Sequence, residues 1–172
     1  MIDLDISLHG SEWQDHFPQY ESCIKTCFKL VVEHVPECKH FANFSHLELS
    51  ICLTNDEEIQ QINKLHRGMD KPTNVLSFPS LSDEEIQSHL VEGDDIPEYP
   101  VALGDIIFAL ETIMREAEDQ KKSLSDHFSH LCFHGMLHLL GYDHIEDDEA
   151  EEMEALEKSL LAKLSIDDPY QD

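Results

Sequence analysis

One stretch of eleven residues constrains this chain more than any other: His134-Gly135-Met136-Leu137-His138-Leu139-Leu140-Gly141-Tyr142-Asp143-His144. It ends a strongly apolar helix that opens at Ser123, a good N-cap, and runs to Leu140. Gly141 tolerates the positive φ of a helix C-cap, so the chain can stop there and reverse. Residues i and i+4 of a helix project from one face about 5–6 Å apart, close enough for His134 and His138 to share one ion. The reversal brings His144 back beside them. Three imidazoles with a fourth position open to water describe a catalytic Zn²⁺ site, whereas a structural site closes its shell with four protein ligands, usually including cysteine. The one nearby thiol, Cys132, lies two residues before His134 and points to roughly the opposite side of the helix. His127 and His130 share the stripe, but His130 is about 12 Å of helical rise from His138, too far to share its ion. The sequence assigns both to supporting or buried, hydrogen-bonded roles. The competing reading is of core histidines satisfied by backbone carbonyls, with Gly141 as a mere cap.

The rest of the chain bounds what such a helix can be part of. At 172 residues it is long enough for one domain with a real core and short for two, so residues 1–172 are expected to form a single domain. No apolar run approaches the roughly 20 residues that span a bilayer, and the N-terminus alternates apolar and acidic residues, unlike a secretory signal. A soluble protein with no membrane partner is expected. The five cysteines are odd in number and lack C-x-x-C pairs, which fits reduced thiols and a cytoplasmic location. Cys23 and Cys27, four apart on a helix among apolar neighbours, are expected to pack as small hydrophobes. The formal net charge of −26 weighs against a nucleic-acid partner, since phosphate-binding surfaces are normally basic. The acid is concentrated in Ser82–Glu98 and Asp143–Glu157, however, while Lys64, Arg67 and Lys71 lie close together.

Hydrophobic periodicity predicts an α+β domain: about four strands in a mixed sheet, packed with about five or six helices. Strands are expected near the N-terminus, at Leu47–Thr54, at Asn74–Phe78 and over Val101 to about Leu110. Helices are expected from Gln19 to about His34, through about Leu65, from Glu111 to Gln120, from Ser123 to Leu140, and over about Asp147 to Leu164. Thr54 and Glu57 carry a capping-box signature. Ser80–Pro100 has no sustained period and reads as a surface loop, with room for a short helical turn near Asp83–Leu90. The last helix presents Met153, Leu156, Leu160, Leu161 and Leu164 on one face and acid on the rest.

The spacing H-x-x-x-H-x-x-G-x-x-H is that of metzincin proteases, which makes peptide hydrolysis the first rival. In those enzymes a Glu follows the first His and acts as general base; here the residue is Gly135. A phosphodiester substrate instead requires positive charge on its equatorial oxygens.

The chain also resembles the YbeY endoribonucleases of bacterial ribosomal-RNA maturation. The family hallmark H-G-x-L-H-L-x-G-Y-D-H is filled at every specified position by His134, Gly135, Leu137, His138, Leu139, Gly141, Tyr142, Asp143 and His144. A second block matches Asn63, Arg67, Pro72, Thr73 and Val75-Leu76-Ser77-Phe78-Pro79, and a third is Leu103-Gly104-Asp105-Ile106. The resemblance implies a compact α+β fold with a three-His helix like that of zincins. It also implies zinc-dependent cleavage of single-stranded RNA, in 3′-end maturation of small-subunit ribosomal RNA and in ribosome quality control. The partners would be that RNA, the ribosome or its proteins, and not DNA. It gives Arg67 a catalytic role: a planar guanidinium can orient the scissile phosphate and stabilise its developing charge. The alternative for Arg67 is a surface ion pair. Asp143 is assigned to orienting a ligand or capping the following helix. The rival from another class is a non-catalytic, metal-stabilised ribosome-assembly factor whose acidic surface meets basic proteins.

Overall fold

The computed structural model describes residues 1–171. The strands β1 (Ile2–Leu8), β2 (Leu47–Thr54), β3 (Val75–Pro79) and β4 (Val101–Ala109) form one sheet of order β1-β2-β4-β3. β1, β2 and β4 run parallel, and β3 closes one edge antiparallel to β4, with Val75 opposite Phe108 and Pro79 opposite Gly104. The alternation in β2 works as expected, since Leu47, Leu49, Ile51 and Leu53 are buried on one face. Parallel neighbours need long crossovers. α1 (Glu12–His16) and α2 (Tyr20–His34) provide the first, and α3 (Asp56–Arg67) begins the second. α4 (Asp83–Glu85) leads into a wider π-helical segment, Ile86–Glu92, and α5 (Leu110–Asp119), α6 (Leu124–Leu139) and α7 (Asp147–Ala162) follow. The mixed four-stranded α+β architecture expected from the sequence is therefore present, with five helices of ten residues or more.

α6 is the central helix, packed against β3, β4, α2, α5 and α7. Ten of its sixteen residues are buried, which leaves His130, His134 and His138 on its narrow accessible stripe. Trp13, Phe17, Phe108 and Phe128 meet near its start, and the Trp13 indole donates to the Thr54 carbonyl at 2.8 Å. On the opposite side of the sheet, α3 lays Ile59 and Ile62 against Leu76, Phe78, Ile107 and Ala109. The thiols Cys27, Cys38 and Cys132 are buried, and the hydrogen bond with Cys132, followed by burial, raises Cys27 above its ordinary range.

Two local expectations are corrected. Thr54 does not cap α3, because it is the last residue of β2, buried and paired with Ala109. Asn55 takes the cap with extended backbone and accepts from the Glu58 amide, while the Thr54 hydroxyl reaches the Glu58 carboxylate at 2.7 Å. The segment read as a loop is helical for ten residues, Asp83 to Glu92, opened by a capping box between Ser82 and Glu85 and anchored by buried Ile86 and Leu90. The helical turn expected near Asp83–Leu90 is the core of that element.

The approach of α6 to the sheet depends on two glycines. Gly104 has φ of +146°, and a Cβ there would lie 2.4 Å from the Phe78 carbonyl oxygen and 2.8 Å from Leu139 Cδ2. Gly104→Ala is expected to cost about 1–3 kcal/mol through overpacking and backbone strain. Thermal unfolding should show the midpoint lowered by at least a few degrees, and an unchanged midpoint would refute the tight crossing. At Gly135, a Cβ would meet Ile106 Cγ2 at 3.0 Å and Ser77 Oγ at 3.2 Å. This position faces β3 and β4, where a carboxylate has no room. The missing protease-type Glu thus has a packing reason.

Candidate metal centre

The three histidines converge as the helix-stop-return pattern requires. The end of α6 closes with the Gly141 amide donating to the His138 carbonyl and the Tyr142 amide to the Leu137 carbonyl, both at 3.1 Å. With Gly141 at φ +99°, this is a Schellman cap, and it turns the chain back toward α6. Asp143 Oδ1 accepts from the His144 amide at 2.7 Å, and the Tyr142 hydroxyl donates to Glu37 at 2.7 Å, tying the returning loop to the segment after α2. Burial and the Glu37 carboxylate raise the Tyr142 hydroxyl well above its ordinary range. The α7 cap is Glu146, with no side-chain hydrogen bond, so Asp143 does not cap that helix. Ring centroids lie 4.5 Å apart for His134 and His138, 5.4 Å for His134 and His144, and 5.2 Å for His138 and His144.

The hydrogen bonds around these rings test whether an ion fits. His134 Nδ1 lies 2.6 Å from Glu157 Oε1, and His138 Nδ1 lies 2.9 Å from the Tyr142 carbonyl oxygen. A carboxylate and a carbonyl only accept, so each Nδ1 carries its proton and donates it. The two Nε2 atoms are thereby turned toward each other, 3.1 Å apart, where a cation would be shared between them. The His134, His138 and His144 donor atoms all fall within 4.8 Å of one another, a group that could hold a metal ion. Neutral imidazole nitrogens are the donor set that suits zinc and its first-row neighbours. Burial first, and then the neighbouring His134 and His144 charges, push His138 down to about 4, so it is neutral and ready to coordinate.

This group forms one wall of a cavity of about 630 Å³ that also exposes Arg67, Thr73, Ser77, Asp83 and Asp143. Arg67 ends α3, whose turn is set by left-handed Gly68 and by Asn63 donating to the Lys71 carbonyl at 2.9 Å. The surface ion pair considered for Arg67 does not form among the described residues. Its counterpart Arg115 does pair, with Asp56 at 3.0 Å, and Lys64 pairs with Asp70 at 3.5 Å. Lys71 is exposed outside the lining of this cavity.

The sequence reading missed Glu157. Taken as part of the acidic face of the last helix, it is fully buried on α7, one turn after Met153 and just before Leu160. An acid inside an apolar i, i+4 stripe was the available signal. Its Oε2 also receives His130 Nε2 at 3.2 Å and the Tyr170 hydroxyl. Burial alone would raise its pKa, but hydrogen bonds from His130, His134 and Tyr170 outweigh it and hold the carboxyl at about 2. His127 is buried and paired with Glu116 at 3.0 Å, so both accessory histidines occupy the hydrogen-bonded roles expected of them.

The comparisons with known proteins agree with this arrangement. The sequence profile of the family described as endoribonuclease YbeY matches residues 11–165. The chain is 57% identical over 124 residues to a protein named endoribonuclease YbeY from Paramagnetospirillum magneticum, covering 72% of this chain and 71% of that one. It is 47% identical over 160 residues to the protein of the same name from Bradyrhizobium diazoefficiens, covering 93% and 80%. A third, from Allorhizobium ampelinum, is 41% identical over 98% of this chain and 95% of its own. The solution structure of TM1509 from Thermotoga maritima superposes over all of both chains with a TM-score of 0.56 at 21% identity, a likeness of fold. With the family profile spanning β2, β3, β4, Arg67 and the whole histidine group, this chain belongs to the YbeY endoribonuclease family.

Proposed function

We propose that this protein is a zinc-dependent endoribonuclease specific for single-stranded RNA, with His134, His138 and His144 as the metal ligands and Arg67 as the catalytic cation. The observation that carries the reading is the convergence of the His134, His138 and His144 ring nitrogens within 4.8 Å of one another, in a cavity also lined by Arg67, which has no carboxylate partner among the described residues. A bound divalent ion would supply Lewis-acid stabilisation of charge developing on a phosphoryl group. The chain's own residues do the rest. His134 and His138 keep Nε2 directed inward through their Nδ1 hydrogen bonds. Arg67, which lines the same cavity, offers a fork that can hold two non-bridging oxygens and turn the phosphorus toward the histidines.

The biological setting we infer, supported by membership of the family, is processing of small-subunit ribosomal RNA at its 3′ end, with a part in ribosome quality control, in the cytoplasm. Among the described residues, no helix is long and apolar enough to cross a membrane. The acidity of the chain is compatible with this role because the cationic contact is confined to the cavity, although RNA affinity should be modest without a ribosomal partner. Titration with zinc should give one tight site per chain, and the loaded protein should cut an unstructured RNA while sparing a duplex. Chelation should stop the cutting and zinc should restore it. Cleavage that survives both chelation and dialysis would refute the reading.

A further inference from the structure

Glu157 is a buried anion with no lysine or arginine beside it, and such a group is costly unless hydrogen bonds compensate it. Its two oxygens are fully allocated: Oε1 to His134 Nδ1, and Oε2 to His130 Nε2 and the Tyr170 hydroxyl. All three partners donate. If the site needed only packing, an apolar residue of similar volume would serve as well or better. The arrangement makes sense if the carboxylate is required as an acceptor for His134, the one ligand of the helical pair with no backbone carbonyl on its Nδ1. His138 has that carbonyl, from Tyr142. The C-terminal segment takes part as well. Lys158 pairs with Asp168 at 3.5 Å, and that segment folds back so that Tyr170 covers Glu157.

We propose that Glu157 is the positioning residue of the metal centre, fixing the tautomer and ring orientation of His134, with His130 and Tyr170 holding the carboxylate in place. The proposal rests on the three-histidine reading above. Outer partners of this kind are typically worth about 10- to 100-fold in metal affinity. A glutamine at this position keeps the volume but turns an amide N–H toward a donor.

The experiment compares wild type, Glu157→Gln and Tyr170→Phe. Zinc affinity is measured by competition with a chelating indicator, and imidazole tautomers by long-range ¹H–¹⁵N NMR on metal-free protein. Glu157→Gln should bind zinc about 10- to 100-fold more weakly. His134 should be protonated on Nδ1 in wild type and become a mixture of tautomers in Glu157→Gln, while His138 stays protonated on Nδ1 in both. Tyr170→Phe, which changes one hydroxyl on a half-exposed ring, should weaken zinc a few-fold and tests the proposal even if Glu157→Gln does not fold. Undiminished zinc affinity in both variants, or His134 protonated on Nε2 in wild type, would overturn it. Wild-type protein that binds no zinc would instead sink the functional reading, and the tautomer measurement separates the two failures because it needs no metal.

Discussion

His138→Ala protein is expected to fold, to lose its tight zinc site, and to cut RNA at least on the order of 10²–10³-fold more slowly than wild type. The fold should survive because the ring stands on the accessible stripe of α6, while Phe128, Cys132, Phe133, Met136 and Leu137 supply the helix's packing. The loss should be nearly complete because two imidazoles cannot enclose an ion as three do, and His144, exposed on its loop, relies on the helical pair to define the site. Thermal unfolding supplies a readout independent of catalysis. A ligand that binds only the folded state at a hundred times its Kd stabilises by about 2.7 kcal/mol. For a domain of this size that is roughly 5–10 °C. Zinc should raise the wild-type midpoint by about that amount and leave the variant's unchanged. Equal zinc-induced shifts in the two proteins would place the ion elsewhere, and the second His-Cys-Glu cluster, His9 with Cys52 and Glu58, would be the first place to look.

The histidine group was legible because everything that builds it is local. An i, i+4 pair, a glycine stop and a short return lie within eleven consecutive residues, and helical geometry alone determines where they point. Glu157 was not legible in the same way, because its place beside His134 is created by α7 packing on α6. Only the interruption of an apolar stripe by an acid hinted at it. The capping error at Thr54 has a similar origin: local pattern allowed either Thr54 or Asn55, and the pairing of Thr54 with Ala109 across the sheet decided between them. In Ser80–Pro100 the acidic composition hid the Ser82 capping box and the buried Ile86 and Leu90, whose burial depends on neighbours far away in sequence. Gly135 was read correctly as the absence of a protease base. That the position faces the Ile106 side chain required the structure.

Arg67 divides along the same line. Its residue type and basic neighbourhood were visible, but its role came from family resemblance, since nothing local connects position 67 to positions 134–144. The fold makes the connection: Arg67, the last residue of α3, lines the same cavity as the histidines. Arg67→Ala is therefore expected to leave zinc content and the thermal midpoint unchanged while lowering kcat by about 10²–10³-fold, the usual cost of removing one preorganised charge from a reacting centre. Arg67→Lys should recover little, because an ammonium is a point charge and cannot grip two oxygens in one plane. Salt dependence adds a separate test. Each neutralised phosphate of single-stranded RNA contributes about −0.7 to the slope of log affinity against log salt, so the Ala variant should lose one such increment and the Lys variant should keep it. A variant that turned over normally but bound RNA more weakly would reassign Arg67 from transition-state stabilisation to simple docking. Loss of kcat with zinc retained keeps it at the scissile phosphate, and that is the outcome expected of an exposed guanidinium with no carboxylate partner among the described residues, on a chain that carries so much negative charge.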